Sequence, residues 1–197
     1  MNYLAHATLS FGDAEILTGN MIADHIKGRK ALEALPSRIA AGVRLHRQLD
    51  AFTDSHRATI RATLPLRPHY GLYAGPIVDT LFDHFLANDP KFFPSEAALL
   101  QFSQNTYSLL ETQKEHFPEQ FRGYFPGMQE HNWLYGYRTL QGMKRSLGGL
   151  QRRAQHLAEV DTAYSIFIGH YHELAQCWYD LAEDVLPFAR GVMNEIV

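Results

Sequence analysis

Apolar residues recur at three- and four-residue steps along almost the whole chain, and no stretch shows the alternation of a half-buried strand. That periodicity confines the chain to an all-α fold. Ile16, Leu17, Met21 and Ile26 share one face of a helix expected over 13–27, with Asp13 near its start and Gly28 where a terminating glycine belongs. Pro36-Ser37 opens a second helix, on which Ile39, Val43, Leu45, Leu49 and Phe52 recur. The stretch RPHYGLYAGP interrupts the pattern, and Pro76 suits the first turn of a helix running through Val78, Leu81, Phe82 and Phe85. A helix is predicted over 95–116 with Ser95 as its cap. An aromatic, proline-containing segment over 117–127 comes next, then two short helices over 130–149 and a long one over 157–186.

Nothing divides the chain. There is no repeat, low-complexity tract or hydrophilic linker, and 197 residues of which 46% are hydrophobic suffice for one core. The expectation is a single-domain helical bundle over 1–197. No apolar run approaches the roughly 18–20 residues that cross a bilayer. The opening MNYLAHATLSFGDAE lacks a basic region and a cleavage pattern, so a cytoplasmic protein is expected, with no membrane partner. Cys177 is the single cysteine, which excludes a disulfide framework and a thiolate metal cluster within one chain. Any metal must therefore sit on His, Asp, Glu or Asn, and eleven histidines make that worth pursuing.

Charge is unevenly placed. Residues 25–67 carry nine lysines and arginines against three acids, and 138–153 carry five cations and no acid, although the chain's net charge is −3. Such segments favour an anionic partner such as a phosphate or an acidic protein; the other reading is a solvated helix face. Nucleic acid is not expected, because a pI of 6.4 is far from the strongly basic footprint it needs.

The chemistry-bearing feature is a set of polar pairs at i,i+4 spacing: Asn2/His6, Asn20/Asp24, His46/Asp50, Asp50/Asp54 and Asp79/Asp83, with His84 next to the last. That spacing puts both members on one helix face. Asp79 and Asp83 lie among Ile77, Val78, Leu81, Phe82, Phe85 and Leu86, where two unpaired carboxylates would be costly to bury. A cation between them removes the penalty; the alternative is pairing with arginines such as Arg44, Arg47 or Arg57. No serine elbow, phosphate-binding loop or dinucleotide fingerprint is present. An oxygen- and nitrogen-rich site favours Mn²⁺, Mg²⁺ or Fe²⁺, and with cations beside it suits metal-dependent phosphoester hydrolysis.

Five ordered blocks, MNYLAHATLS, LTGNMIADHIKG, GVRLHRQLDAFTDSH, VDTLFDHFLA and NWLYGYRTLQGM with the later Arg152-Arg153, resemble the acyl carrier protein phosphodiesterase family. The resemblance implies a noncanonical relative of the all-helical, metal-dependent HD-domain phosphohydrolases. This chain has no His-Asp dipeptide; Asp24-His25 and Asp83-His84 run the other way. It further implies an enzyme that removes 4′-phosphopantetheine from holo-acyl carrier protein, typically with Mn²⁺, giving the apo protein. Carried over block by block, Asp24, His46, Asp50, Asp79, Asp83 and His84 become the expected metal ligands. Asn2, His6 and Asn20 are expected to line the same pocket and orient the substrate, with His6 an expected catalytic residue. Asp54 is the expected general acid or base, and Arg47, Arg152 and Arg153 are expected to hold the phosphate. Acyl carrier proteins are acidic, so the basic segment over 25–67 offers a docking face. Two other functions fit the residues: an HD-like hydrolase of a small nucleotide or other phosphoester, and a non-catalytic helical module that binds carrier protein.

Overall fold

The computed structural model describes residues 1–153 and 159–196, excluding the side chain of Arg153. The helices in order are α1 (Tyr3–Thr8), α2 (Ala14–Ile22), α3 (Gly28–Glu33), α4 (Ser37–Ser55), α5 (Arg57–Thr63), α6 (Arg67–Tyr70), α7 (Ala74–Ala87), α8 (Glu96–Glu111), α9 (Glu119–Glu130), α10 (Trp133–Gly136), α11 (Leu140–Arg153), α12 (Val160–Gly169) and α13 (Tyr171–Ile196). No strand occurs among the described residues. One apolar core runs through the bundle, with Leu4, Ile16, Ile39, Phe82, Phe121 and Trp178 among its fully buried side chains. The all-α, single-domain expectation holds, and no helix among the described residues is long and apolar enough to cross a membrane.

Several boundaries follow from local chemistry. Asp13 caps α2 by accepting from the N–H groups of Glu15 and Ile16 at 3.1 and 2.9 Å. Ser95 caps α8 through the N–H of Ala98 at 3.2 Å. Pro76 falls in the first turn of α7, as its missing N–H predicts.

Other boundaries differ from expectation. The helix expected over 13–27 ends at Ile22 and tightens into a 3₁₀ turn, Ala23–His25; Gly28 is left-handed at φ +77° but opens α3. The aromatic segment is itself mostly helix, because Pro126 in α9 does not prevent Phe121, Phe125 and Met128 from sharing a buried face. The long C-terminal helix is broken between Gly169 and Tyr171, where His170 Nδ1 pairs with Glu173 in the first turn of α13 at 2.7 Å.

Candidate functional site

Two glycines bring α2 and α4 together. A methyl at Gly19 would overlap the carbonyl oxygen of Ile39, and one at Gly42 would overlap that of Ile16, so the two backbones touch. Asn20 follows Gly19, and His46 lies one turn beyond Gly42. At this separation the Asn20 carbonyl accepts Nδ1–H of His46 at 2.8 Å. That bond fixes the tautomer and leaves Nε2 facing the carboxylates. The Asn20 side-chain amide donates to the His6 carbonyl at 2.9 Å and to Ser10 Oγ at 3.0 Å, tying α1 to α2.

His6, His46 and Asp50 converge from α1 and α4. Their ligand atoms all lie within 4.8 Å of one another, and the two imidazoles stack at 4.0 Å between centroids. His46 Nε2 reaches Asp50 Oδ2 at 3.0 Å and Asp24 Oδ1 at 3.4 Å, while His6 Nε2 reaches Asp50 Oδ1 at 3.2 Å. The Met1 ammonium is buried between Asp50 Oδ1 at 3.1 Å and Asp79 Oδ1 at 3.3 Å. These groups line a cavity of about 390 Å³ together with Asn2, Tyr3, His25, Thr80 and Tyr124.

The electrostatics favour a cation. Burial works against the Met1 ammonium, but Asp79 and Asp50 outweigh it and raise its pKa to about 11. His46 is likewise opposed by burial, yet hydrogen bonds to Asp24 and Asp50 raise it to about 9. His6 is pushed down to about 4 by burial and the neighbouring His46 charge, so it is neutral. The hydrogen bond with His46 lowers Asp24 to about 2. For Asp50, burial acts upward, but bonds to His46 and His6 hold it well below the usual carboxylate range. Two buried polar atoms here, His6 Nδ1 and Asn20 Oδ1, have no hydrogen-bond partner. Two imidazoles, one shared carboxylate and two further carboxylates suit a divalent metal ion, and a cationic group already sits among them.

Of the expected metal ligands, the structure gathers Asp24, His46, Asp50 and Asp79 into this cavity, with Asn2, His6 and Asn20 beside them. Asp83 and His84 are engaged elsewhere. Both Asp83 oxygens accept from the first turn of α1, the N–H groups of Leu4 at 2.8 Å and Ala5 at 3.0 Å. The two carboxylates of α7 are therefore reconciled by the N-terminal end of α1, one by its free N–H groups and one by the Met1 ammonium. His84 donates Nδ1–H to the Tyr137 carbonyl at 2.7 Å and meets the Tyr171 hydroxyl with Nε2 at 2.9 Å, lining a different cavity. Asp54 is exposed one turn beyond Asp50. Arg47 is exposed and donates to the Ile26 carbonyl at 2.9 Å; Arg152 is exposed two residues after the cavity-lining Leu150. The Arg153 side chain lies outside the described residues. Within the basic segment, Arg29, Arg38 and Arg61 are ion-paired with Glu33, with Asp13 and Glu15, and with Asp180.

Asp83 carries a prediction. Burial pushes its carboxyl up to about 7, against the two N–H groups that favour the charged form. The unfolded value is near 3.9, so the native state binds the extra proton and this group's contribution to stability falls as pH rises from about 4 to 7. Asp83→Asn lacks that titration. In melts across this range the variant should gain on the wild type with rising pH and level off above it. Asp83→Ala, which orphans two buried N–H groups, should lose about 2–5 kcal/mol below pH 4, a deficit that narrows as the wild type loses its contribution toward pH 7.

His25 and Tyr3, which the sequence pattern does not mark, line the cavity with Tyr124 of the aromatic segment. Their signals were slight: Tyr3 stands between Asn2 and His6, and His25 follows Asp24, but only the 3₁₀ turn swings His25 inward.

The family model described as acyl carrier protein phosphodiesterase matches residues 1–185. The chain is 30% identical over 172 residues to the acyl carrier protein phosphodiesterase of Photorhabdus laumondii, covering 87% of this chain and 86% of the relative. It is 29% identical over 180 residues to that of Serratia proteamaculans, with 90% and 92% covered. With that of Pectobacterium atrosepticum it shares 25% over 190 residues, covering 96% and 98%. No solved structure matches. A match spanning nearly the whole chain, through every block that supplies the cavity, shows that this chain belongs to the acyl carrier protein phosphodiesterase family.

Proposed function

We propose that the protein hydrolyses the phosphodiester joining 4′-phosphopantetheine to a serine of holo-acyl carrier protein, releasing apo protein and 4′-phosphopantetheine in the cytoplasm. The observation that carries this reading is the convergence of His6, His46 and Asp50 in a cavity built by the family's own sequence blocks. His6, His46 and Asp50 would hold a divalent ion, with Asp24 and Asp79 as flanking carboxylates. Mn²⁺ is the first choice for this donor set, with Mg²⁺ or Fe²⁺ as alternatives. When bound, the ion lowers the pKa of an attacking water and neutralises charge on the phosphoryl oxygens.

The chain's own groups do the rest. Asn20 orients His46 through its backbone carbonyl and anchors α1 through the bond from its side-chain amide to the His6 backbone carbonyl. Asn2, held by Thr80 Oγ1 at 3.2 Å and the Tyr137 hydroxyl at 3.1 Å, presents a polar edge to the cavity. Asp54, on the exposed side beyond Asp50, is placed to exchange protons with solvent. Arg47 and Arg152 contribute positive charge on exposed surface and steer an acidic carrier protein, an effect that salt weakens.

The test is incubation of the purified protein with holo-acyl carrier protein and Mn²⁺, followed by intact mass. Water activation by the ion predicts a loss of about 340 Da, one prosthetic arm, abolished by EDTA and restored by Mn²⁺. No mass change with metal present overturns the reading.

A further inference from the structure

The lining residues are of two kinds: Met1, His6, Asp24, His46, Asp50 and Asp79 make up the histidine–aspartate cluster, and Tyr3, Met21, His25, Pro76, Tyr124 and Leu150 lie outside it. Among the latter the polar atoms form a chain. The Tyr3 hydroxyl donates to that of Tyr124 at 3.0 Å, and the Tyr124 hydroxyl meets His25 Nε2 at 2.9 Å. His25 Nδ1–H donates to Gln120 Oε1 at 2.9 Å, so Nε2 is the acceptor for Tyr124. The Tyr124 ring is held on one side by Trp133, stacked at 6.1 Å and 9°, and edge-on by Phe121 at 5.2 Å. Three separate stretches, α1, the 3₁₀ turn after α2, and α9, are thus locked into one wall, which is a preorganised surface rather than incidental packing.

A phosphodiester held at the histidine–aspartate cluster must send its two substituents in different directions. The protein substituent has to leave towards solvent, the side marked by the Asp24 carboxylate, whose side chain is 78% exposed. The other substituent then runs along the wall of Tyr3, Tyr124 and His25. Hydroxyl oxygens in one cavity with the apolar surfaces of Met21, Pro76 and Leu150 match a chain that alternates amides with hydrocarbon. They do not match a nucleotide's charge or a bare phosphate. The cavity volume of about 390 Å³ is within the ~300–1,000 Å³ of small-ligand pockets.

We infer that Tyr3, Tyr124 and His25 form the recognition wall for the pantetheine arm, setting specificity while the histidine–aspartate cluster handles the phosphate. The assignment rests on the function proposed above. It is tested by calorimetric binding of 4′-phosphopantetheine, with inorganic phosphate as the second probe, to the Mn²⁺-loaded full chain. Holo-carrier-protein kinetics are measured in parallel. Tyr124→Leu should weaken 4′-phosphopantetheine binding by about tenfold or more, the worth of one ring contact and one hydrogen bond, and raise KM more than it lowers kcat. Tyr3→Phe and Tyr124→Phe keep the rings and remove only the hydroxyls, so they test the wall should the leucine variant not fold; each should weaken 4′-phosphopantetheine binding by a few-fold. Equal weakening of both probes, or unchanged 4′-phosphopantetheine affinity in all three variants, overturns the wall. A wild type that cleaves holo-carrier protein while the variants bind the arm normally leaves the function standing and removes only the wall. A wild type that binds the arm through Tyr124 without cleaving the carrier protein does the reverse.

Discussion

Asp50→Asn should abolish phosphodiester cleavage and the stoichiometric binding of Mn²⁺ together. Its carboxylate contacts the Met1 ammonium at 3.1 Å, His6 at 3.2 Å and His46 at 3.0 Å, so one side chain holds the three groups at the centre of the cavity. The amide keeps the shape but removes the charge that attracts a cation and presents an N–H₂ where an acceptor is needed. Loss of one fixed electrostatic stabiliser costs about 10²–10³ in kcat, and loss of the ion as well should exceed that. The measurement is kcat on holo-acyl carrier protein alongside metal content by elemental analysis. His46 gives a second readout: with half of its carboxylate support gone, its pKa should fall from about 9, visible in an NMR titration of the metal-free protein. Activity within tenfold of wild type would place the reaction centre elsewhere.

Gly42→Val should be the most destabilising substitution far from any expected ligand. A β-carbon at Gly42 overlaps the Ile16 carbonyl, and a branched side chain cannot be turned away, since the backbones of α2 and α4 are in contact at both Gly19 and Gly42. Relief requires the helices to separate. That breaks the bond from His46 Nδ1–H to the Asn20 carbonyl and opens the fully buried surface of Ile16, Ile39 and Val43. Overpacking combined with a lost buried hydrogen bond belongs to the class costing about 4 kcal/mol or more, which for a chain of this size lowers Tm by roughly 10–15 °C. Thermal melts measure the cost. Metal content of the folded fraction measures the displacement of Asn20, and should fall even at temperatures where helicity is retained. A Tm within a few degrees of wild type would mean that the interhelical contact is looser than its geometry implies.

Both results bear on how far the site could be read from the sequence. The i,i+4 rule identified His46 and Asp50 as one face of one helix, and they are. The rule could not say which partner a buried carboxylate finds. For Asp79 and Asp83 it suggested a shared cation. The fold instead supplies the N-terminal end of α1, a helix of six residues too short for periodicity to reveal. His84 shares α7 with Asp79 but turns to Tyr137 and Tyr171. In the opposite direction, the end of the helix expected over 13–27 tightens into a 3₁₀ turn, which brings His25 to Tyr124. The basic segment over 25–67 carries nine cations, but Arg38 and Arg61 are paired with acids from distant elements, Asp13 with Glu15 and Asp180, which no count along the segment contains.

The sequence by itself determined the fold class, because an apolar period near 3.6 can bury its residues only on helices. It also determined the family, because five ordered blocks carry it. Caps such as Asp13 and Ser95 were legible for the same reason, since their hydrogen bonds close within three residues. Only the tertiary structure decided which polar side chains meet. The close approach at Gly19 and Gly42, the docking of α1 onto Asp83 and the wall of Tyr3, Tyr124 and His25 join residues 23 to 121 positions apart. Contacts of that range depend on how helices pack, and helical periodicity carries no information about the neighbour on the other side of the contact.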